Sequence, residues 1–140
     1  MSVYTIKLVS KREIAEDTIA FIFEKPDGFN FKQPNLESSL FYSNHRPEDA
    51  AFLDELKFLE TDNSQYHFIP TMTNISKSRE AWQGETGYIN KKMLSNFIKD
   101  LTKPIYYISG PATRVPATHH ILNEAGIDDD MIRMEEFSGY

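Results

Sequence analysis

The sequence contains no cysteine. That excludes disulfides, thiolate metal sites and thiol nucleophiles. It also lacks any cluster of lysine and arginine. The balance is 15 basic against 21 acidic residues, a net charge of −6. Proteins that track a phosphate backbone carry a basic face, so no nucleic acid is expected as partner. Long apolar runs are absent too. The longest, residues 19–23 and 105–108, are far too short to cross a bilayer, and no membrane insertion is expected. The start, Met1-Ser2-Val3-Tyr4, has no apolar signal-peptide core, so the expected location is cytoplasmic. There is no internal repeat and no low-complexity tract.

What is present is globular in kind. Of 140 residues, 40% are hydrophobic and 13% aromatic, enough to argue against disorder. Residues 4–9 alternate as a strand, and 18–24 form a second β-rich run. Between them, residues 10–17 are polar and charged. Pro26-Asp27-Gly28 reads as a turn, followed by Phe29 and Phe31. Residues 33–39 have no period and read as a connector.

Beyond the connector, strands and helices alternate. Strands are expected at 39–43, 65–70, 105–109 and 131–137. Pro47-Glu48-Asp49 opens a predicted helix carrying Phe52, Leu53, Leu56 and Leu59 on one face. Residues 71–87 form a polar loop holding Trp82, the only tryptophan. A second helix is predicted over 90–101. A third pattern runs over 111–125 and ends at Gly126. Pro116 inside that pattern argues for a helix start near Pro116 instead, since an internal proline costs about 3 kcal/mol.

This alternation predicts an α/β fold, with about four parallel, doubly wound strands carrying helices on both faces and an N-terminal β-strand pair. Ligands bind such sheets at the carboxyl ends of the strands. The relevant loops are 43–46, 71–73 and 109–111.

Several residue runs carry a family likeness. They are Phe41-Tyr42-Ser43-Asn44-His45-Arg46-Pro47-Glu48-Asp49, then Phe52-Leu53-Asp54-Glu55-Leu56. They continue as Trp82-Gln83-Gly84-Glu85-Thr86-Gly87-Tyr88-Ile89, Tyr106-Tyr107-Ile108-Ser109-Gly110-Pro111 and the closing Glu135-Glu136-Phe137-Ser138-Gly139-Tyr140. In order and spacing they resemble the pyridine-nucleotide half of the ferredoxin–NADP reductase-like flavoenzymes. Phe29-Asn30-Phe31-Lys32 resembles the start of that family's flavin barrel. The resemblance implies residues 1–32 as a barrel remnant, 33–39 as connector and 40–140 as an NAD(P)-binding-like domain.

The resemblance also implies a chemistry, hydride transfer between NAD(P)H and FAD with the cofactors carrying the reaction. It places nucleotide contacts at Ser43, Asn44, Arg46, Thr71, Thr73, Tyr88, Ser109, Gly110 and Pro111. It places Phe137 and Tyr140 near a flavin. No catalytic side chain and no metal ligand is implied. The expected partners are a small-molecule nucleotide, an electron-transfer protein and a second copy of the chain in a homodimer.

Departures from the family pattern are equally informative. The Gly-Gly-x-Gly loop that cradles a pyrophosphate has no match, and neither does the Arg-x-Tyr/Phe-Ser/Thr flavin segment. Ser109 stands where relatives commonly place a cysteine. Thr71-Met72-Thr73 stands where NADPH-selective relatives often carry Ser-Arg. The alternative expectation is therefore a shortened, non-catalytic derivative that binds nucleotide weakly or self-associates.

Other constellations lack the spacing of a site. Adjacent His119 and His120 diverge by about 100° on a helix and make a poor metal pair. Asp128-Asp129-Asp130 lacks calcium-loop spacing and reads as a solvated turn. Ser43 and His45 have no third triad member.

Overall fold

A computed structural model of the chain describes residues 8–15, 18–23 and 37–137. The expected strand start at 4–7, the turn at Pro26-Asp27-Gly28, Phe29 and Phe31 lie outside the described residues. The chain divides into two compact units, Met1–Tyr88 and Ile89–Tyr140.

The first unit opens with an antiparallel pair, β1 (Leu8–Ala15) and β2 (Thr18–Phe23). The sequence pattern predicts a strand end at residue 9, yet β1 runs through the charged segment to Ala15. Pairs such as Lys11↔Phe21 and Arg12↔Ala20 explain this. Lys11 and Arg12 are exposed, so their charge does not end the strand.

β3 (Ser38–Asn44) and β4 (Tyr66–Met72) pair in parallel, from Ser38↔Tyr66 to Asn44↔Met72. A short β5 (Glu85–Thr86) adds to the far side of β4, giving the order β3-β4-β5. β5 lies inside the segment expected to be loop, because two residues carry no period. β4 is the central strand of this sheet, and its Phe68, Ile69, Thr71 and Met72 are all buried. Consecutive buried residues mark a strand covered on both faces.

Between β3 and β4 the helix starts later than Pro47 predicts. Pro47–Asp49 form one 3-10 turn. Ala50 is extended and Phe52 is left-handed at φ 58°, and α1 spans Leu53–Asp62. The left-handed Phe52 costs about 1–2 kcal/mol. The Tyr42 hydroxyl donates to Ala51 O at 3.0 Å and ties this kink to β3. α1 buries none of its residues, and Phe58 and Leu59 stand exposed.

In the second unit, α2 (Lys91–Phe97) starts where expected. The Asn90 side chain accepts from the Met93 N–H at 3.0 Å. It stops short of the predicted residue 101. The Asp100 carboxylate accepts from both the N–H and the hydroxyl of Thr102, an Asx turn that competes with the helix. β6 (Tyr106–Pro111) pairs in parallel with β7 (Ile132–Phe137), and α3 (Val115–Glu124) packs on both. α3 begins at Val115, so Pro116 sits in its first turn, where a missing N–H costs nothing.

The fold is thus a mixed α/β one with parallel sheets, three helices and an N-terminal strand pair. Five parallel strands are described, where the sequence predicts about four.

Candidate functional site

The carboxyl ends of β3 and β4 lie side by side, since Asn44 pairs with Met72. The loops leaving them are fastened together. Thr73 N–H donates to Asn44 O at 2.9 Å, and Asn74 N–H donates to His45 O at 2.9 Å. The Thr73 hydroxyl donates to Asn44 O at 3.2 Å. The same hydroxyl lies 3.0 Å from the His45 Nδ1, a hydrogen bond that orients the ring and that no sequence signal points to.

Ser43, Asn44, Arg46, Thr71 and Thr73 therefore meet at one rim. They do not all present free groups. Thr71 is fully buried, and its hydroxyl donates to Gly87 O at 2.7 Å. It anchors the β5 turn rather than facing a ligand. Asn44 donates from Nδ2 to the Tyr42 hydroxyl at 3.1 Å and caps no helix. Ser43 is exposed at the end of β3, and Tyr88 is exposed beyond β5.

Arg46 is committed to carboxylates. Its Nε and Nη2 donate to the two oxygens of Asp49 at 2.8 and 2.6 Å, and Nη1 lies 3.7 Å from Glu48. The Arg46 guanidinium holds the Asp49 carboxyl below its ordinary range. Glu48 is lowered as well, by its own main-chain N–H, then by the Ser78 hydroxyl and the Arg79 N–H. The Arg-x-x-Asp spacing is a signal for this pair, since i and i+3 groups meet in a helical turn.

In the second unit, Ser109, Gly110 and Pro111 end β6 beside Glu135, Glu136 and Phe137 of β7. Gly110 is the buried penultimate residue of β6, and the Arg114 N–H closes a turn on Pro111 O at 2.8 Å. An added Cβ on Gly110 would meet Val115 Cγ2 only at 4.0 Å, an ordinary contact. Packing alone does not demand glycine there. Phe137 is exposed at the end of β7, and Tyr140 lies outside the described residues. His119 and His120 do diverge: the first meets Asp129 at 2.8 Å and the second Glu124 at 3.4 Å. Among the described residues no group of metal-ligating side chains assembles.

Comparison with known families decides what this rim belongs to. Residues 19–120 match the family model described as the oxidoreductase NAD-binding domain. The chain belongs to that family. It is a ferredoxin reductase-like member of it. One component of the Na(+)-translocating NADH-quinone reductase of Pseudoalteromonas atlantica is 23% identical over 104 residues, 72% of this chain and 25% of that protein. Its Idiomarina loihiensis counterpart is 21% identical over the same shares. Among solved structures, the ferredoxin reductase in carbazole 1,9a-dioxygenase is 26% identical with a TM-score of 0.55, covering 71% of this chain and 29% of that one. The CS-b5R domains of human Ncb5or give a TM-score of 0.62 at 21% identity, covering 72% and 29%. The chain spans about a quarter of the length of these curated relatives.

The residues of this oxidoreductase NAD-binding domain fit a pyridine nucleotide in part. The β3–β4 rim offers the exposed Ser43 and the oriented His45 at the strand ends, where such ligands bind. The six glycines of the chain include no adjacent pair, so no glycine-rich loop supplies a pyrophosphate cradle. The sequence lacks the flavin-holding Arg-x-Tyr/Phe-Ser/Thr segment.

Proposed function

We propose that this chain is the nucleotide-binding part of an NAD(P)H-dependent electron-transfer system. The observation that carries this reading is the fastened β3–β4 rim in a chain matching an NAD-binding family. Ser43 and His45 would contact the adenosine ribose there. In the second unit, the family resemblance implies nicotinamide contacts at Ser109 and Gly110. When bound, the nicotinamide supplies a hydride, and the chain's own groups only hold and orient it. Flavin would be the acceptor of that hydride, as the family resemblance implies. Self-association into a homodimer belongs to the same reading, supported by Phe58, Leu59 and Tyr107 standing exposed.

The alternative of a non-catalytic derivative is favoured by one observation, the missing pyrophosphate loop. The same experiment separates the two. The purified chain is titrated with NADH while NMR amide shifts are recorded, then mixed with FAD and its visible spectrum taken. Shifts concentrated at residues 43–46, 73–74 and 109–111 support nucleotide binding. Absence of any shift at millimolar NADH overturns it. A bound flavin reduced by NADH would restore full catalysis to this single chain.

A further inference from the structure

We infer that the β3–β4 rim takes the coenzyme whose adenosine ribose is unphosphorylated, and rejects a 2′-phosphate. The inference rests on the nucleotide-binding reading above and names the substrate class for it. At such strand ends an arginine accommodates a 2′-phosphate, whereas acidic or neutral groups leave the hydroxyl form preferred. Arg46 is the one Lys or Arg in residues 43–49. Its fork is already filled by both oxygens of Asp49, with Glu48 against its third nitrogen. A phosphate arriving there would have to displace a bidentate carboxylate, and would meet the negative charge of Glu48 as well.

The neighbouring loop does not offset this. Residues 71–80 add Lys77, Arg79 and Glu80. Together with Arg46, Glu48 and Asp49 the two rim segments carry three cations and three anions. The Arg79 main-chain N–H is itself bonded to Glu48 at 3.2 Å. A dianionic phosphate thus finds no surplus of positive charge. A ribose hydroxyl needs none: it can donate to an uncharged acceptor. His45, whose Nδ1 is engaged by Thr73, turns its other ring nitrogen, Nε2, to such a hydroxyl.

The arrangement is specific enough to invert. Asp49→Asn removes the carboxylate that fills the guanidinium fork. Glu48→Gln removes the second charge while leaving the Arg46–Asp49 pair in place. NADH and NADPH are titrated separately against the wild type, each variant and the double variant, with thermal melts confirming that each is folded. The wild type is expected to bind NADH about tenfold or more tighter than NADPH, the scale of one uncompensated charge contact. E48Q should narrow that ratio modestly, and the double variant should close or reverse it, with NADH affinity little changed. Equal or tighter NADPH binding by the wild type overturns the inference and leaves the nucleotide reading standing. An unchanged ratio in folded E48Q and in the double variant also overturns it. Binding of neither coenzyme overturns the nucleotide reading itself.

Discussion

Two tyrosines on the same small sheet show how much a single hydroxyl decides. Tyr42 donates to Ala51 O and accepts from Asn44, while the buried Tyr66 hydroxyl has no partner among the described residues. Burial raises the pKa of both, and for Tyr42 the bond accepted from Asn44 pulls the other way. An unpaired buried hydroxyl carries a desolvation cost that a paired one recovers. Tyr42→Phe is therefore expected to destabilise the chain by about 1 kcal/mol, and Tyr66→Phe to be neutral or stabilising by a similar amount. Urea melts of the two variants check this. A larger loss for Tyr66→Phe would show that its hydroxyl is satisfied in solution.

The Arg46–Asp49 pair gives a pH signature at one residue. The Asp49 carboxyl is held below its ordinary value of 3.8, chiefly by the hydrogen bonds from Arg46. A lowered carboxylate contributes stability that is present above the unfolded value and lost as pH falls through the folded one. Asp49→Asn should cost about 1 kcal/mol near neutral pH, the upper range for a partly exposed pair. The gap between wild type and variant should hold down to about pH 5 and close below about pH 4. Denaturant melts from neutral to acid pH measure it, and a gap independent of pH would mean the pair does not form.

Among the secondary elements, α3 is the most legible in the sequence and α1 the least. Gly126 stands in the sequence as a stop, and its φ is 91°. Its N–H reaches Asn123 O at 2.9 Å, and the Ile127 N–H reaches Leu122 O at 3.1 Å, with Leu122 and Ile127 both buried. That double bond pattern is the Schellman motif. Gly126→Ala forces a side chain into the left-handed region and is expected to cost about 1 kcal/mol. A thermal melt reads it, with Glu124→Ala as a control of near-zero effect. α1 begins later than its proline predicts, because Tyr42 draws Ala51 toward β3 and kinks the entry at Phe52. That bond joins residues nine apart across a turn, and no helical period encodes it.

For the molecule as a whole, the parallel pairing is readable as a class and not in detail. Strand and helix alternation implies it, whereas β5 and the fastening of the two rim loops leave no sign. The exposed apolar side chains have a consequence in solution. Phe58 is 64% and Tyr107 80% exposed, in separate units. The proposed self-association would bury such surface, at about 25 cal/mol per Å². Sedimentation equilibrium should return about twice the 16.2 kDa chain mass, and Phe58→Glu or Tyr107→Glu should restore the monomer mass. A wild type that stays monomeric at high micromolar concentration refutes self-association and leaves nucleotide binding untouched.

Local chemistry is legible wherever one residue's own backbone preference decides: Gly126 as a stop, Pro116 in a first turn, the β-rich runs as strands. Absence is legible too, since missing cysteines and a missing glycine pair need no coordinates. The candidate rim is readable only in part. Topology alone puts Ser43, Arg46 and Thr73 at strand ends, where the structure has them. That Thr71 is consumed by Gly87 and that His45 is oriented by Thr73 emerges only in three dimensions. For His45 the physical reason lies in sequence distance. It and Thr73 are 28 residues apart, and a hydrogen bond across that span leaves no periodic trace in either segment. It exists because β3 and β4 pair in one register, and register is a property of the packed sheet.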